Sequence, residues 1–338
     1  MKNLATKIPE EPPLRFRGAR VLITGGAGFI GSTLAIRLVQ HGAHVTILDS
    51  LIPEYGGNLF NLQPVSEQVR LHITDVRNQH GLQHLLRDQD FLFNLAGQTS
   101  HMDSMTDPQT DLEINCRAQL SLLEVCRAVN NRVRLVYAST RQIYGKPDRL
   151  PVDETHPLRP VDVNGINKLA GEFYHLLYSD VYGIPATVLR LTNTYGPRMR
   201  IRDARQTFVG VWIRRLLEGQ PFDVWGGQQL RDFTWVEDCV DALLLAAVHP
   251  ETPGKCLNLG GCQPVSLLQL AELLVQCHGS GSFVVREFPA DRKKIDIGDF
   301  YSDDSAFRRL TGWQPATSLA SGLEMTVAYF RKHLQFYV

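Results

Sequence analysis

Thr24-Gly25-Gly26-Ala27-Gly28-Phe29-Ile30-Gly31 is a stretch built to hold phosphate. An apolar run at 21–24 reads as a buried strand before it, and a helical pattern runs from about 28 to 41 after it. In that setting Gly25 permits a tight turn, Gly28 lets backbone approach a pyrophosphate, and Gly31 lets the helix pack close to the sheet. The helix start, at Phe29 and Ile30, offers unpaired N–H groups and partial positive charge to an anion. Asp49 ends the next strand, at about the 20-residue spacing of a dinucleotide site. Its carboxylate suits ribose hydroxyls and repels a 2′-phosphate, which predicts NAD over NADP. Asp75-Val76 ends the third strand, where it would cap the adenine, although an exposed turn aspartate fits the same residues. A glycine triplet alone is often only a turn; the strand–loop–helix context and Asp49 raise this one.

These residues need a scaffold, and the chain supplies alternating strand and helix signals. Strands are predicted at 21–24, 45–48, 69–73, 91–96, 134–138 and 186–191. Helical spacing covers 112–129 and 164–182, the second with Leu169, Phe173, Leu176 and Leu177 on one side. Such alternation predicts an α/β fold, a Rossmann-like doubly wound parallel sheet. Beyond residue 191, prolines punctuate helices near 207–218, 235–248 and 267–276. We therefore expect a lead-in at 1–18 and a dinucleotide-binding domain at 19–191, with returning segments at about 231–262. A smaller C-terminal α/β substrate lobe is expected at 192–230 and 263–338.

The bulk properties narrow the function. The chain has 338 residues, 43% of them hydrophobic, enough for a sizeable core. Lys+Arg and Asp+Glu both number 35, so nothing suggests an electrostatic footprint for nucleic acid or an anionic membrane. The longest apolar run, 242–248, falls far short of the roughly 20 residues of a spanning helix. Six cysteines without Cys-x-x-Cys or zinc spacing read as free thiols, with no metal site. A soluble cytoplasmic protein is expected.

Further segments share a pattern. They are Asn94-Leu95-Ala96-Gly97, Glu113-Ile114-Asn115, Tyr137-Ala138-Ser139-Thr140-Arg141-Gln142-Ile143-Tyr144-Gly145, Lys168-Leu169-Ala170-Gly171-Glu172, Leu189-Arg190-Leu191-Thr192-Asn193-Thr194-Tyr195-Gly196-Pro197-Arg198 and Arg231-Asp232-Phe233. With the glycine loop, they resemble the extended short-chain dehydrogenase/reductase family, in its NAD-dependent sugar-nucleotide epimerase/dehydratase branch. The likeness covers about residues 19–335. It implies a nucleotide-sugar substrate, tightly held NAD, and a sugar hydroxyl transiently oxidised to a ketone. By position it implies Leu95 and Ala96 beside the cofactor, Thr140 on the reacting hydroxyl and Lys168 on the nicotinamide ribose. Asn115 would shape the adjoining helix. Asn193, Arg205, Arg231 and Arg292 would lie near the substrate phosphates. Thr140 as a plain strand cap, Lys168 as a surface lysine and Arg231-Asp232 as a surface ion pair are the structural alternatives. The likeness further implies a homodimer formed through the helices at 112–129 and 164–182, though those apolar stripes fit equally against the sheet.

The pattern breaks at Asn164. In the family that this chain resembles, the residue four before the lysine is the acid/base tyrosine. An amide has no titratable proton near neutral pH. Residues 164 and 168 lie one helical turn apart, so the geometry of the pair is kept while the acid/base is gone. Lys168, His101, Asp162 and Arg141 are nearby alternatives, with a solvated loop favoured for His101. Arg141 and Gln142 stand where dehydratases carry Asp-Glu, which disfavours 4,6-dehydration. Arg141 there suits an anionic substituent such as a carboxylate, or else is a surface arginine. A 4-epimerase type is expected, with an oxidoreductase or decarboxylase, or a non-catalytic binding protein, as alternatives.

Overall fold

A computed structural model describes residues 12–205, 207–261, 263–289 and 296–338. Strands β1 (Arg20–Thr24), β2 (His44–Asp49), β3 (Val69–Ile73), β4 (Phe91–Asn94), β5 (Arg134–Thr140) and β6 (Ala186–Leu191) form one parallel sheet with Cys256–Leu259. The order is Cys256–Leu259, β6, β5, β4, β1, β2, β3. Strands covered on both faces need apolar side chains on both, which is why β4 and β6 are buried at every position. Helices Phe29–Gln40 and Val236–Val248 pack over one face, around Ile23, Leu34, Phe93 and Leu243. Helices Gln79–Leu86, Ala118–Val129 and Val163–Tyr182 cover the other, around Leu22, Leu86, Leu122 and Tyr178.

The chain reverses direction across the sheet between β1 and β4, which are neighbours in register from Val21 and Phe91 onward. A crevice opens at the carboxyl ends of strands at such a switch point. A separate hydrophobic cluster gathers Trp212, Phe222, Val224, Leu270, Leu323 and Phe330.

Four features differ from the expectations. The returning segment contributes a seventh strand, Cys256–Leu259, which the sequence pattern does not announce. Phe307 and Trp313 pack into the large sheet's core rather than the lobe. The lead-in ends in the helix Pro12–Phe16, whose Phe16 ring is buried 4.8 Å from Phe91. The helix expected over 112–129 is interrupted by a π turn at Glu113–Arg117.

Helix Val163–Tyr182 is inverted in polarity. It buries Asn164, Asn167, Lys168, Glu172 and His175 and exposes Ile166, Phe173, Leu177 and Val181. Phe173 and Leu177 therefore face outward. Among the described residues no helix is long and apolar enough to cross a membrane.

Candidate active site

One cleft at the switch point gathers most of the residues singled out above. It is lined by Gly25, Gly28, Phe29, Ile30, Gly31, Asp49, Asp75, Val76, Leu95, Ala96, Thr140, Arg141, Asn164, Lys168 and Asn193. Gly25 has φ +71°, a conformation that favours glycine, and a Cβ there would meet Ala96 N at 2.9 Å. A Cβ on Gly31 would overlap the Gly25 carbonyl. Gly28 caps helix Phe29–Gln40 without any side-chain hydrogen bond, which leaves the helix start open to an outside acceptor. These features fit a dinucleotide pyrophosphate.

Asp49 is buried and already employed. Its Oδ2 accepts from Ala27 N (2.9 Å) and its Oδ1 from Leu51 N (2.8 Å), tying the glycine loop to the loop after β2. Burial pushes its carboxyl up and the two N–H groups only partly offset this. Each oxygen keeps a lone pair for a ribose hydroxyl. Asp75 is clasped by Arg77, whose Nε and Nη2 each donate at 2.8 Å and hold the carboxyl below its usual range.

Lys168 is buried, not on the surface. Its Nζ donates to Ala138 O (3.2 Å) and sits 5.0 Å from the Tyr137 ring centroid. Burial pushes the ammonium down to about 8, with Asp111 opposing the shift. Thr140 combines the cap and the cleft position, which the sequence leaves as alternatives. Its Oγ1 accepts from Gln142 N (3.2 Å), capping the next turn, while the residue still lines the cleft.

Asn164 is buried beneath the same cleft. Its Nδ2 donates to Gln98 O (2.8 Å) and Asp111 Oδ2 (3.0 Å). With acceptors on that side, the amide orientation is fixed, nitrogen inward. Asn115 Nδ2 donates to the same Asp111 oxygen and Asn167 Nδ2 to the other, at 3.0 and 2.8 Å. Asp111 is thus a buried carboxylate ringed by three amides. Sequence reasoning missed both Asp111 and Gln98, although the i,i+4 spacing of Asp111 and Asn115 was there to read.

His101 also lines the cleft. Its Nδ1 lies 2.9 Å from Oδ2 of the fully buried Asp162. Nδ1 makes no hydrogen bond among the described residues, so the two groups meet as a close polar contact. The solvated-loop reading of His101 is corrected in part: the residue opens helix His101–Thr106 and lies against a buried carboxylate, while its side chain stays partly exposed.

The arginines divide. Arg141 Nη2 donates to Asn193 Oδ1 (2.9 Å), while its Nη1 is buried with no partner among the described residues. Burial, with Arg231 nearby, pushes the guanidinium down to about 10. Arg205 does not line the cleft, because Asp103 (2.6 Å) and Asp203 (3.0 Å) engage it. Arg231 is buried elsewhere, donating to the Leu230 and Gly298 carbonyls and facing Asp296 at 3.4 Å. Arg292 lies outside the described residues.

This geometry has counterparts among known proteins. A putative UDP-glucose 4-epimerase of Methanocaldococcus jannaschii is 30% identical, over 93% of this chain and 99% of its own. UDP-glucuronic acid decarboxylase 1 of Xenopus tropicalis is 32% identical, over 99% and 79%. The solved UDP-glucose 4-epimerase of Thermotoga maritima, holding UDP-glucose, superposes with a TM-score of 0.85 at 30% identity, over 93% and 99%. The model of the NAD dependent epimerase/dehydratase family matches residues 21–260. With its Rossmann-like sheet and uncapped glycine loop, the chain belongs to that family of NAD-dependent sugar-nucleotide enzymes.

Proposed function

We propose that this protein is an epimerase of a nucleotide-diphosphate sugar, of the 4-epimerase type, working through transient oxidation to a keto-sugar with altered acid/base chemistry. The observation that carries the reading is the single cleft joining the glycine loop and Asp49 to Thr140 and Lys168. Bound NAD would accept the hydride from the sugar carbon and return it to the other face. In this reading Gly25, Gly28, Gly31 and the start of helix Phe29–Gln40 hold the pyrophosphate. Asp49 holds the adenosine ribose, and Lys168 the nicotinamide ribose. Thr140, whose oxygen already accepts from Gln142, donates its hydroxyl hydrogen to the reacting sugar oxygen. Asn164, in the place of the family's acid/base tyrosine, supplies no proton and instead fixes Gln98 and Asp111.

Arg141 and Gln142 after Thr140 leave no Asp-Glu pair for water loss. The unpartnered Arg141 Nη1 favours a second reading, a decarboxylase acting on an acidic nucleotide sugar, as the Xenopus relative's name describes. We further infer a homodimer, supported by the exposed stripe Ile166, Phe173, Leu177 and Val181. A cytoplasmic location is supported by the five described cysteines, all free thiols.

The test is direct. Purified protein is denatured and the released cofactor identified. Intact protein is then incubated with NAD and a panel of nucleotide sugars, followed by NMR and mass spectrometry. Interconversion of two sugars of equal mass supports the epimerase; loss of carbon dioxide supports the decarboxylase. Turnover of none, with dinucleotide bound, would leave a binding protein.

A further inference from the structure

We propose that His101, oriented by Asp162, moves the sugar hydroxyl proton that a phenol at position 164 would otherwise move. This rests on the epimerase reading above and concerns only which side chain carries the proton.

Three observations converge on it. His101 shares the cleft with Thr140, Asn164 and Lys168, and its side chain is 38% exposed, open to a ligand. Its position relative to Asn164 is pinned by Ser104, whose Oγ donates to His101 O (2.7 Å) and accepts from Asn164 N (3.2 Å). Asp162 is pinned too. Its Oδ1 accepts from Gly165 N (2.6 Å) and its Oδ2 from Gln142 Nε2 (2.9 Å), two residues beyond Thr140. The pair is therefore tied at one end to the helix that carries Lys168 and at the other to the turn after β5.

The chemistry is set by the partners. Burial pushes the Asp162 carboxyl up, but His101, the Gly165 N–H and Gln142 outweigh it, so the carboxylate is ionised at neutral pH. An ionised carboxylate beside Nδ1 favours the tautomer with hydrogen on Nδ1 and a lone pair on Nε2. On oxidation the sugar O–H bond breaks and an Nε2–H bond forms, while the hydride leaves carbon for the cofactor. On return the Nε2–H bond breaks and the O–H bond reforms, so proton and electron pair both balance. Asp103, two residues on from His101, is matched by Arg205 at 2.6 Å. Arg141, at about 10, holds its proton at neutral pH. Lys168 has no carboxylate orienting it within hydrogen-bond distance, only Ala138 O.

Two measurements test the proposal. The first needs no turnover. The NAD-loaded protein is treated with diethyl pyrocarbonate, and carbethoxylation of His101 is followed by mass spectrometry with and without a UDP-hexose. The sugar nucleotide is expected to slow modification of His101; an unchanged rate under saturating ligand overturns the proposal. The second is kinetic. His101→Gln is expected to lose about 10²–10⁴-fold in kcat, as for removal of a general base, with bound NAD and KM retained. Asp162→Asn keeps the cap on Gly165 N but sets an amide N–H against Gln142 Nε2, so the melting temperature should fall somewhat; kcat should fall by about tenfold or more at a temperature where the variant is fully folded, with KM and bound NAD retained. A His101→Gln variant within about threefold of wild type, far below a general base's contribution, sinks the proposal and leaves the epimerase standing. Wild-type protein that turns over no nucleotide sugar overturns the epimerase reading itself, and this inference with it.

Discussion

Asn164 Nδ2 and Asn115 Nδ2 converge on one oxygen of Asp111, each at 3.0 Å. The amide at position 164 is thus part of the support for the cleft floor. Asn164→Tyr places a bulky ring in a buried slot and removes a donor from Asp111. We expect a destabilisation of about 1–3 kcal/mol from overpacking, together with lower turnover rather than a gain. Thermal unfolding and steady-state rates check this. A variant more active than wild type by orders of magnitude would mean that the native chain is a weakened tyrosine enzyme.

Lys168 makes stability depend on pH with a definite sign. Its folded value is pushed down to about 8 by burial, while the unfolded lysine keeps about 10.4. Below about 8 both states are charged, and the buried charge costs about 3 kcal/mol. Between about 8 and 10 the unfolded chain binds more protons, so this residue's contribution to stability rises with pH. With both proteins stripped of NAD, Lys168→Met should therefore melt higher than wild type at pH 7, with the gap closing toward pH 10. The same variant should lose bound NAD. Scanning calorimetry across pH, with absorbance of released dinucleotide, reads both.

Arg141 predicts substrate preference. Its buried Nη1, with no partner among the described residues, gains a charge-assisted bond when a carboxylate arrives, worth about 1.5–3 kcal/mol. A uronic acid nucleotide should bind about tenfold or more tighter than the neutral hexose analogue. Arg141→Leu should erase the difference. Isothermal titration with both ligands decides; equal affinities for wild type would remove the argument for an acidic sugar.

The outward stripe of helix Val163–Tyr182 predicts association. Phe173→Glu, at an exposed position, should leave the fold intact and convert a dimer to monomer in light scattering. A wild-type monomer at micromolar concentration would refute the pairing.

Much of this architecture is readable from the chain alone, for physical reasons. Central parallel strands are buried on both faces, so β1, β4 and β6 announce themselves as short apolar runs. Cys256–Leu259 is only four residues with Asn258 inside, and that asparagine is buried because Glu154, Val152 and Tyr144 satisfy it. No local pattern foretells such partners. Helix Val163–Tyr182 misleads a periodicity argument because Ile166, Phe173, Leu177 and Val181 face outward while polar side chains are buried. Gly25 and Gly31 are legible through spacing within one segment, and Lys168 through the family resemblance of the segment that carries it. The contacts of Asn164 and Asn167 with Gln98 and Asp111, and the pairing of His101 with Asp162, are not, because they bring residues 98–111 against 162–167 through tertiary contact.

The π turn at Glu113–Arg117 sets the phase of everything around it. One extra residue in a helix rotates the downstream side chains by about 100°. Asp111 and Asn115 can therefore look toward Asn164 while Leu122, Leu123 and Cys126 still look into the sheet. Deleting a single residue from this turn would leave a longer, more regular helix. It would also swing the carboxylate away from its amides, dismantling the cleft floor from a turn that gives the lining only Ile114.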